Sequence, residues 1–368
     1  MSSCPECGHG RPRRWLATRL ATTQAETEGR GTPRDHCMKQ IVDAFRRIVR
    51  GRRRRVRIAV VAPEIVLADG VGNAVRDTVR AVSAFPDFDV SVFARVSEAP
   101  ELTAHRTETA RDLAKNRIFA ASDIVIYHFG YYDPLFEIIP KWKGRARQIV
   151  FFHNITPAQF VPAGMKLGIK KSFEQLRYFA EVDRVWPFTS TSAQVLFDAG
   201  MDPRKVRIVE PVVEWPPPFR LAKKLAEKRE GPVEILFVGR MVESKGVLDL
   251  LQAFEKLRAQ NPPAFRLRIV GKRSDETYFK RVLERVAALA PDVQFLGQIA
   301  SEHLAQRYRA AHILAIPSYH EGFCRPVAEG LRAGCLPVGY SSYHLPLVAN
   351  GLGRLVSPGN IARARRRE

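Results

Sequence analysis

From residue 56 onward, short apolar runs alternate with longer, helix-permissive stretches, and this rhythm limits the fold more than any other feature. Runs at 56–62, 89–94, 123–129, 148–153, 184–189 and 206–210 have the length and make-up of strands. Polar segments separate most of them. The alternation predicts parallel strands covered by helices on both faces. The sequence EWPPP at 214–218 breaks the pattern, since consecutive prolines suit neither a helix interior nor a central strand. After a charged stretch ending at Gly231 the rhythm restarts, with runs at 234–239, 265–271, 292–297, 312–317, 335–340 and 352–356. Good helix formers fill 247–260 and 277–289. We therefore expect two α/β domains in tandem, at 56–214 and 233–358, joined by a linker at 215–232. Doubly wound domains bind ligands beyond the carboxyl ends of their strands, so two of them create an interdomain cleft.

The charge is uneven. The 368 residues carry a net +21, with 45% hydrophobic and 26% charged residues, an ordinary make-up for a globular chain. Residues 1–57 hold 15 basic and 5 acidic residues, and residues 354–368 hold 5 and 1. The body between them is only mildly basic. Such ends suit a polyanionic partner, a lipid surface or nucleic acid, and equally suit solvated tails. Residues 1–55 read as a basic extension, with Met38 a candidate alternative start, and 359–368 as a basic stub. From Met38, the residues Ile41, Phe45, Ile48 and Val49 recur at helical spacing, with Arg46, Arg47 and Arg50 elsewhere on the projection. That pattern fits a helix lying on an anionic membrane, or a solvated lead-in to the first strand. No run of eighteen apolar residues and no secretory leader is present, so the expected compartment is the cytoplasm. No zinc-finger, basic-zipper or RNP pattern supports nucleic-acid binding. Cys4, Cys7, His9, His36 and Cys37 are too irregularly spaced for a convincing zinc site, and five cysteines are too few for a disulfide scaffold. Asp87 and Asp89 form a DxD by letters only, and no metal is expected.

Four strand-to-helix junctions carry chemistry-bearing residues. Gly70 and Gly72 allow a tight turn and close backbone approach, with helix-start N–H groups for an anion or sugar; a plain connecting loop is the alternative. His153 ends an apolar strand, placed either to meet a ligand or to bond backbone. In ILFVGRMVESKG, Arg240 and Lys245 flank a loop after Gly239, a cationic setting suited to a diphosphate. In HEGFCRPVAEG, Glu321 lies in a loop with Gly322 and Phe323, Pro326 suits the first helical turn, and Glu329 follows. Two carboxylates so placed can face one pocket and accept hydrogen bonds from several hydroxyls.

The third and fourth junctions together resemble family-four glycosyltransferases of the GT-B fold, two tandem Rossmann-like domains. Glu321 through Glu329 reproduces that family's E-x7-E motif, and FVGRMVESKGVLDLLQAF resembles its donor-diphosphate loop. The resemblance covers about 56–358. It implies a retaining, metal-independent transfer of a sugar from a nucleotide-diphosphate sugar, the co-substrate in place of any cofactor, to a hydroxyl acceptor. Cell-envelope polysaccharide or glycolipid synthesis is the implied setting, with a lipid-linked acceptor at the inner face of the plasma membrane. By resemblance, Arg240 and Lys245 hold the diphosphate, Glu329 the ribose, and Glu321 with the backbone of Gly322 and Phe323 the sugar. Lys272 and Ile299 fall near the nucleobase, His153 near the transferred sugar, and Gly70 and Gly72 near phosphate and acceptor. Cys324 and Arg325 depart from the family's Gly and Leu, and Leu347 stands where Glu is common. The family adds C-terminal helices beyond the strand near Val356. Their apparent absence here leaves open a catalytically impaired scaffold that binds nucleotide sugar or a partner, with a nucleic-acid-binding protein as a more distant alternative.

Overall fold

The computed structural model describes residues 55–67, 69–211, 213, 216–219, 224, 231–260 and 264–360, which all fall within one compact unit. Two parallel sheets of six strands organise it. The first contains β1 (Val56–Val61), β2 (Phe88–Ala94), β3 (Ala104–Arg106), β4 (Ile124–Phe129), β5 (Arg147–Phe152) and β6 (Arg184–Pro187). Their order is β3-β2-β1-β4-β5-β6. The second contains β7 (Val233–Val238), β8 (Phe265–Val270), β9 (Val293–Gly297), β10 (Ile313–Ile316), β11 (Leu336–Tyr340) and β12 (Arg354–Val356), ordered β9-β8-β7-β10-β11-β12. Both orders are the doubly wound arrangement, with the chain reversing direction across β1/β4 and across β7/β10.

The central strands are buried on both faces, which explains their near-continuous apolar runs. Every residue of β4 is buried, and β1 exposes part of Arg57 alone. The helices that matter for the crevices are α1 (Gly70–Ser83), α2 (Lys166–Gln175), α3 (Val247–Arg258), α4 (Glu276–Ala288), α5 (Ser301–Ala310) and α6 (Arg325–Arg332). Helices α1, α3 and α4 each present an apolar stripe to their sheet. In α3, Val247, Leu251 and Phe254 recur at helical spacing and are buried with Leu267 and Ile269 of β8. Asp69 caps α1 and Asp275 caps α4 through side-chain carboxylates.

Two departures from the sequence pattern have local causes. Residues 206–210 do not form a strand. They run beside β6 and donate from Arg207 to Val185 and from Val209 to Pro187. Pro187 has no N–H to return, so the ladder stops at a single bridge. Conversely β3 pairs with β2 although AHR contains no apolar run. An edge strand needs little apolar character because one side has no neighbour. The basic stretch at 38–57 and the cysteines at 4, 7 and 37 lie outside the described residues, apart from residues 55–57, as does most of the 215–232 linker. Among the described residues no helix is long and apolar enough to cross a membrane.

Candidate active site

The loops beyond the carboxyl ends of β5 and β10 meet. Gly322, after β10, stands so close to His153, after β5, that a side chain added there would come 3.2 Å from the His153 carbonyl oxygen. Asn154 continues this junction. Its φ of 74° turns the chain sharply off β5, a conformation Asn tolerates. Its side-chain amide lies 3.4 Å from Nε2 of His320. Arg325 at the start of α6 pairs with Asp77 of α1 at 2.7 Å. One cleft thus carries residues from both sheets.

On the side of the second sheet the main feature is a salt bridge. Lys245 Nζ lies 2.7 Å from Glu321 Oε1, with the two side chains only 17% and 12% exposed. Burial works to raise the Glu321 carboxyl, but Lys245 beside it outweighs burial and holds it below its ordinary value. The loop bearing Lys245 turns through Gly246 at φ 62°. A Cβ there would fall 2.1 Å from the Pro317 carbonyl oxygen, so only glycine lets the two loops meet. Beneath them Asp249 accepts hydrogen bonds from the hydroxyls of Tyr319 and Tyr340. Arg240 is exposed and has no ion-pair partner among the described residues. Its carrier loop packs against the next one: Met241 N donates to the Lys272 carbonyl at 2.9 Å, and a Cβ on Gly271 would meet the Gly239 oxygen. Ile299 packs on the apolar cluster that contains Tyr308 and Cys324.

Glu329 accepts from the Tyr308 hydroxyl at 2.8 Å, and Arg325 Nε lies 3.6 Å from its other oxygen. Burial raises the Glu329 carboxyl, with Tyr308 and Arg325 pulling against it. Glu321 and Glu329 therefore flank the loop in two separate polar settings. Phe323 is partly buried, its ring 6.2 Å from that of His344. Cys324 sits at φ 68° as the residue preceding α6. That left-handed position favours glycine and gives a physical reason for the glycine that resembling sequences carry there.

On the side of the first sheet, His153 is partly buried and packs edge-on against Phe188 with ring centres 4.7 Å apart. Burial pushes its imidazole down to about 4, so it is neutral at pH 7. Its Nε2 is 3.0 Å from Nδ1 of the fully buried His128. Gly72 of α1 allows close packing, since a Cβ there would lie 2.1 Å from the Val66 carbonyl oxygen; Gly70 meets no such obstacle. The amides of Val71 and Gly72, expected to be free for a ligand, are engaged by the Asp69 carboxylate at 2.9 and 3.3 Å.

The sequence reading did not single out His128, His320, Tyr308 or Asp77 at the site. His320 precedes Glu321 directly and could have been included; the other three stand in elements distant along the chain. Among the described residues no group of three or more His, Cys, Asp or Glu is placed to hold a metal ion.

Two doubly wound parallel sheets facing one cleft make up the GT-B fold. Anabaena HepE in complex with UDP-glucose has the same fold, with a TM-score of 0.66 at 15% identity over 83% of this chain and 86% of that one. Sucrose-phosphate synthase from Thermosynechococcus elongatus gives 0.64 at 19% identity over 83% and 87%. Residues 220–367 match the family described as glycosyl transferases group 1. A D-inositol 3-phosphate glycosyltransferase of Stackebrandtia nassauensis is 32% identical over 191 residues, 48% of this chain and 41% of that protein. An O-antigen chain mannosyltransferase B of Escherichia coli is 28% identical over 127 residues, 34% and 33%. The chain thus spans less than half the length of these curated relatives in the matched stretches.

Proposed function

We propose that this chain transfers a sugar from a nucleotide-diphosphate sugar to a hydroxyl acceptor, with retention of the anomeric configuration and without a metal ion. The observation that carries this reading is the partly buried Lys245–Glu321 pair, set against His153 across the 322–153 contact. A desolvated cation beside a helix start suits charge that grows on a departing diphosphate. Lys245 would turn from Glu321 toward the phosphates, with Arg240 as an exposed second cation. Glu329 would accept ribose hydroxyls, and Glu321 with the amides of Gly322 and Phe323 would hold the sugar. Lys272 and Ile299 would border the base, and Gly70, with open space beside it, would let the acceptor side approach, while Gly72 seats α1 against Val66. No carboxylate serves as a covalent nucleophile. A departing phosphoryl oxygen would take the acceptor proton on the same face of the sugar. HepE is described in complex with UDP-glucose, and the curated relatives act on inositol phosphate and O-antigen chains, which supports a nucleotide-sugar donor and a polar acceptor.

We place the protein in cell-envelope glycan synthesis at the cytoplasmic face of the membrane, on the basic sequence at 38–57, which carries nine basic residues and one acidic. Two assays test the reading. Release of nucleoside diphosphate from UDP-, GDP- or ADP-sugars, with the product anomer read by NMR, tests transfer and retention. Donor binding without release would mark a binding scaffold instead. Sedimentation with anionic vesicles should weaken on deletion of residues 38–55, and unchanged sedimentation would remove the membrane assignment.

A further inference from the structure

His128 belongs to no motif that the proposed transfer uses, yet it touches the one histidine that does. It lies inside β4, in the run IVIYHF, where every residue is buried. Its ring stacks on Phe151 with centres 5.1 Å apart and planes 21° apart. One ring nitrogen, Nδ1, is 3.0 Å from Nε2 of His153. The other, Nε2, is buried and has no hydrogen-bond partner among the described residues. Gly130, two residues on, closes the packing, since a Cβ there would come 3.4 Å from the His153 Cβ.

These contacts restrict where protons can sit. Burial lowers both imidazoles, and His153 further disfavours charge on His128, so the pair is neutral. A 3.0 Å contact between two neutral imidazoles carries a single proton between the facing nitrogens. If His153 supplied that proton, His128 would keep its own on Nε2, an N–H buried without an acceptor. If His128 supplies it, the orphan on Nε2 is only a lone pair. Orphaned buried donors are the rarer case in folded proteins, as the backbone groups show. His153 must then carry its proton on Nδ1. The side-chain hydrogen bond that His153 makes among the described residues uses Nε2, which leaves Nδ1 for a ligand. The charged group closest in influence on His153 is Asp69, at the cap of α1.

We infer that His128 is a positioning residue: it donates Nδ1–H to Nε2 of His153 and so fixes His153 as a neutral donor, through Nδ1–H, to an oxygen of the bound substrate. This inference rests on the proposed place of His153 in sugar transfer. It assigns His153 the work of holding a hydroxyl or phosphoryl oxygen, and it removes Nε2 from any role as a proton acceptor for the substrate.

The test has a readout that needs no activity. Proton–nitrogen correlation NMR on the full chain, with histidine labelled at the ring nitrogens, reports which nitrogen of His153 bears the proton. The expected spectrum shows His153 protonated at Nδ1 and His128 at Nδ1. Protonation of His153 at Nε2 would overturn the inference whether or not any donor is turned over. Two variants extend it. His128→Phe keeps ring size and stacking and removes the donor, and His128→Asn restores a hydrogen-bonding amide near the Nδ1 position. On the best donor, His128→Phe should lower kcat about tenfold with KM changed less than about twofold, and His128→Asn should recover much of the loss. Equal activity in wild type and His128→Phe, or equal loss in both variants with wild-type melting temperatures, would contradict the positioning role. If no donor is turned over by the wild type, the proposed function fails and the NMR result alone decides the proton arrangement.

Discussion

The two sheets share a strand order but arm their crevices differently. On the side of the first sheet the histidine at the cleft, His153, is neutral and backed by the buried His128, while the carboxylates of α1 are spent on capping, at Asp69, and on pairing with Arg325, at Asp77. Beyond β7 and β10 the side chains at the cleft are charged and paired, as Lys245 with Glu321 and as Arg325 with Glu329. The same architecture thus presents a neutral histidine pair on one side and two cations, Lys245 and Arg325, held by carboxylates on the other. The difference resides in a few loop residues, because the strand order fixes only where a crevice opens.

The sharpest way to break this comparison is to remove charge from the second crevice. Lys245→Ala deletes the cation and leaves Glu321 buried alone. A charged hydrogen bond contributes about 1.5–3 kcal/mol, so donor turnover should fall ten- to hundred-fold or more. Arg240 is exposed, and Arg240→Ala should cost less, because solvent screens it. Steady-state kinetics on both variants measure this, and wild-type rates in both would remove the assigned roles.

Acid should weaken the first crevice. His153, and His320 across the contact, have folded values of about 4 against about 6.5 when unfolded. Their burial as neutral rings is undemanding above pH 6.5 and becomes unfavourable as pH falls toward 4, because the unfolded chain takes protons that the fold refuses. Each histidine adds a slope of up to about 1.4 kcal/mol per pH unit in that window. Glu329, raised by burial, acts in the opposite sense at the acid end. Urea unfolding at pH 7.5 and 5.5 should show a loss of roughly 1–3 kcal/mol. A flat profile would mean that these rings charge freely in the fold.

The two carboxylates of the second crevice should separate by ligand. Glu329→Gln should weaken binding of the bare nucleoside diphosphate and of the sugar nucleotide alike. Glu321→Gln should weaken mainly the sugar nucleotide, by about tenfold for one lost charged hydrogen bond. Calorimetric titration of both ligands decides this, and equal losses for the bare diphosphate would merge the two roles.

The smallest effect is expected at Cys324. Its φ of 68° is strained for a side-chain-bearing residue, whereas glycine relieves the strain and frees the unfolded chain. These terms oppose each other, so Cys324→Gly should shift stability by no more than about 1 kcal/mol in thermal melts. A loss of several kcal/mol would show that the buried thiol packs against the loop far more tightly than its position implies.

Much of the fold could be read from the chain because central parallel strands are buried on both faces and therefore show as unbroken apolar runs. β4 and β10 needed no other signal. The exceptions mark the limits of that signal. β3 is too short and polar to register, and 206–210 looks like a strand whose ladder Pro187 cannot complete. At the site, glycines and charges at strand ends were visible locally, but pairings were not. Lys245 and Glu321 are 76 positions apart, and only the reversal between β7 and β10 brings them together. His128 was hidden for another reason: a lone histidine inside IVIYHF reads as core, and only its contact with His153 distinguishes it. The amides of Val71 and Gly72 read as free because the capping geometry of Asp69 is set by backbone angles.

The proposed transfer requires that this cleft hold a nucleotide-diphosphate sugar by its phosphates at Lys245. A thermal-shift titration of the full chain with UDP-, GDP- and ADP-sugars, repeated on Lys245→Ala, tests it most directly. We predict that one nucleotide class raises the melting temperature of the wild type in a saturable manner, and that the shift largely disappears in Lys245→Ala. The absence of a shift with every donor, or an undiminished shift in Lys245→Ala, would contradict the account.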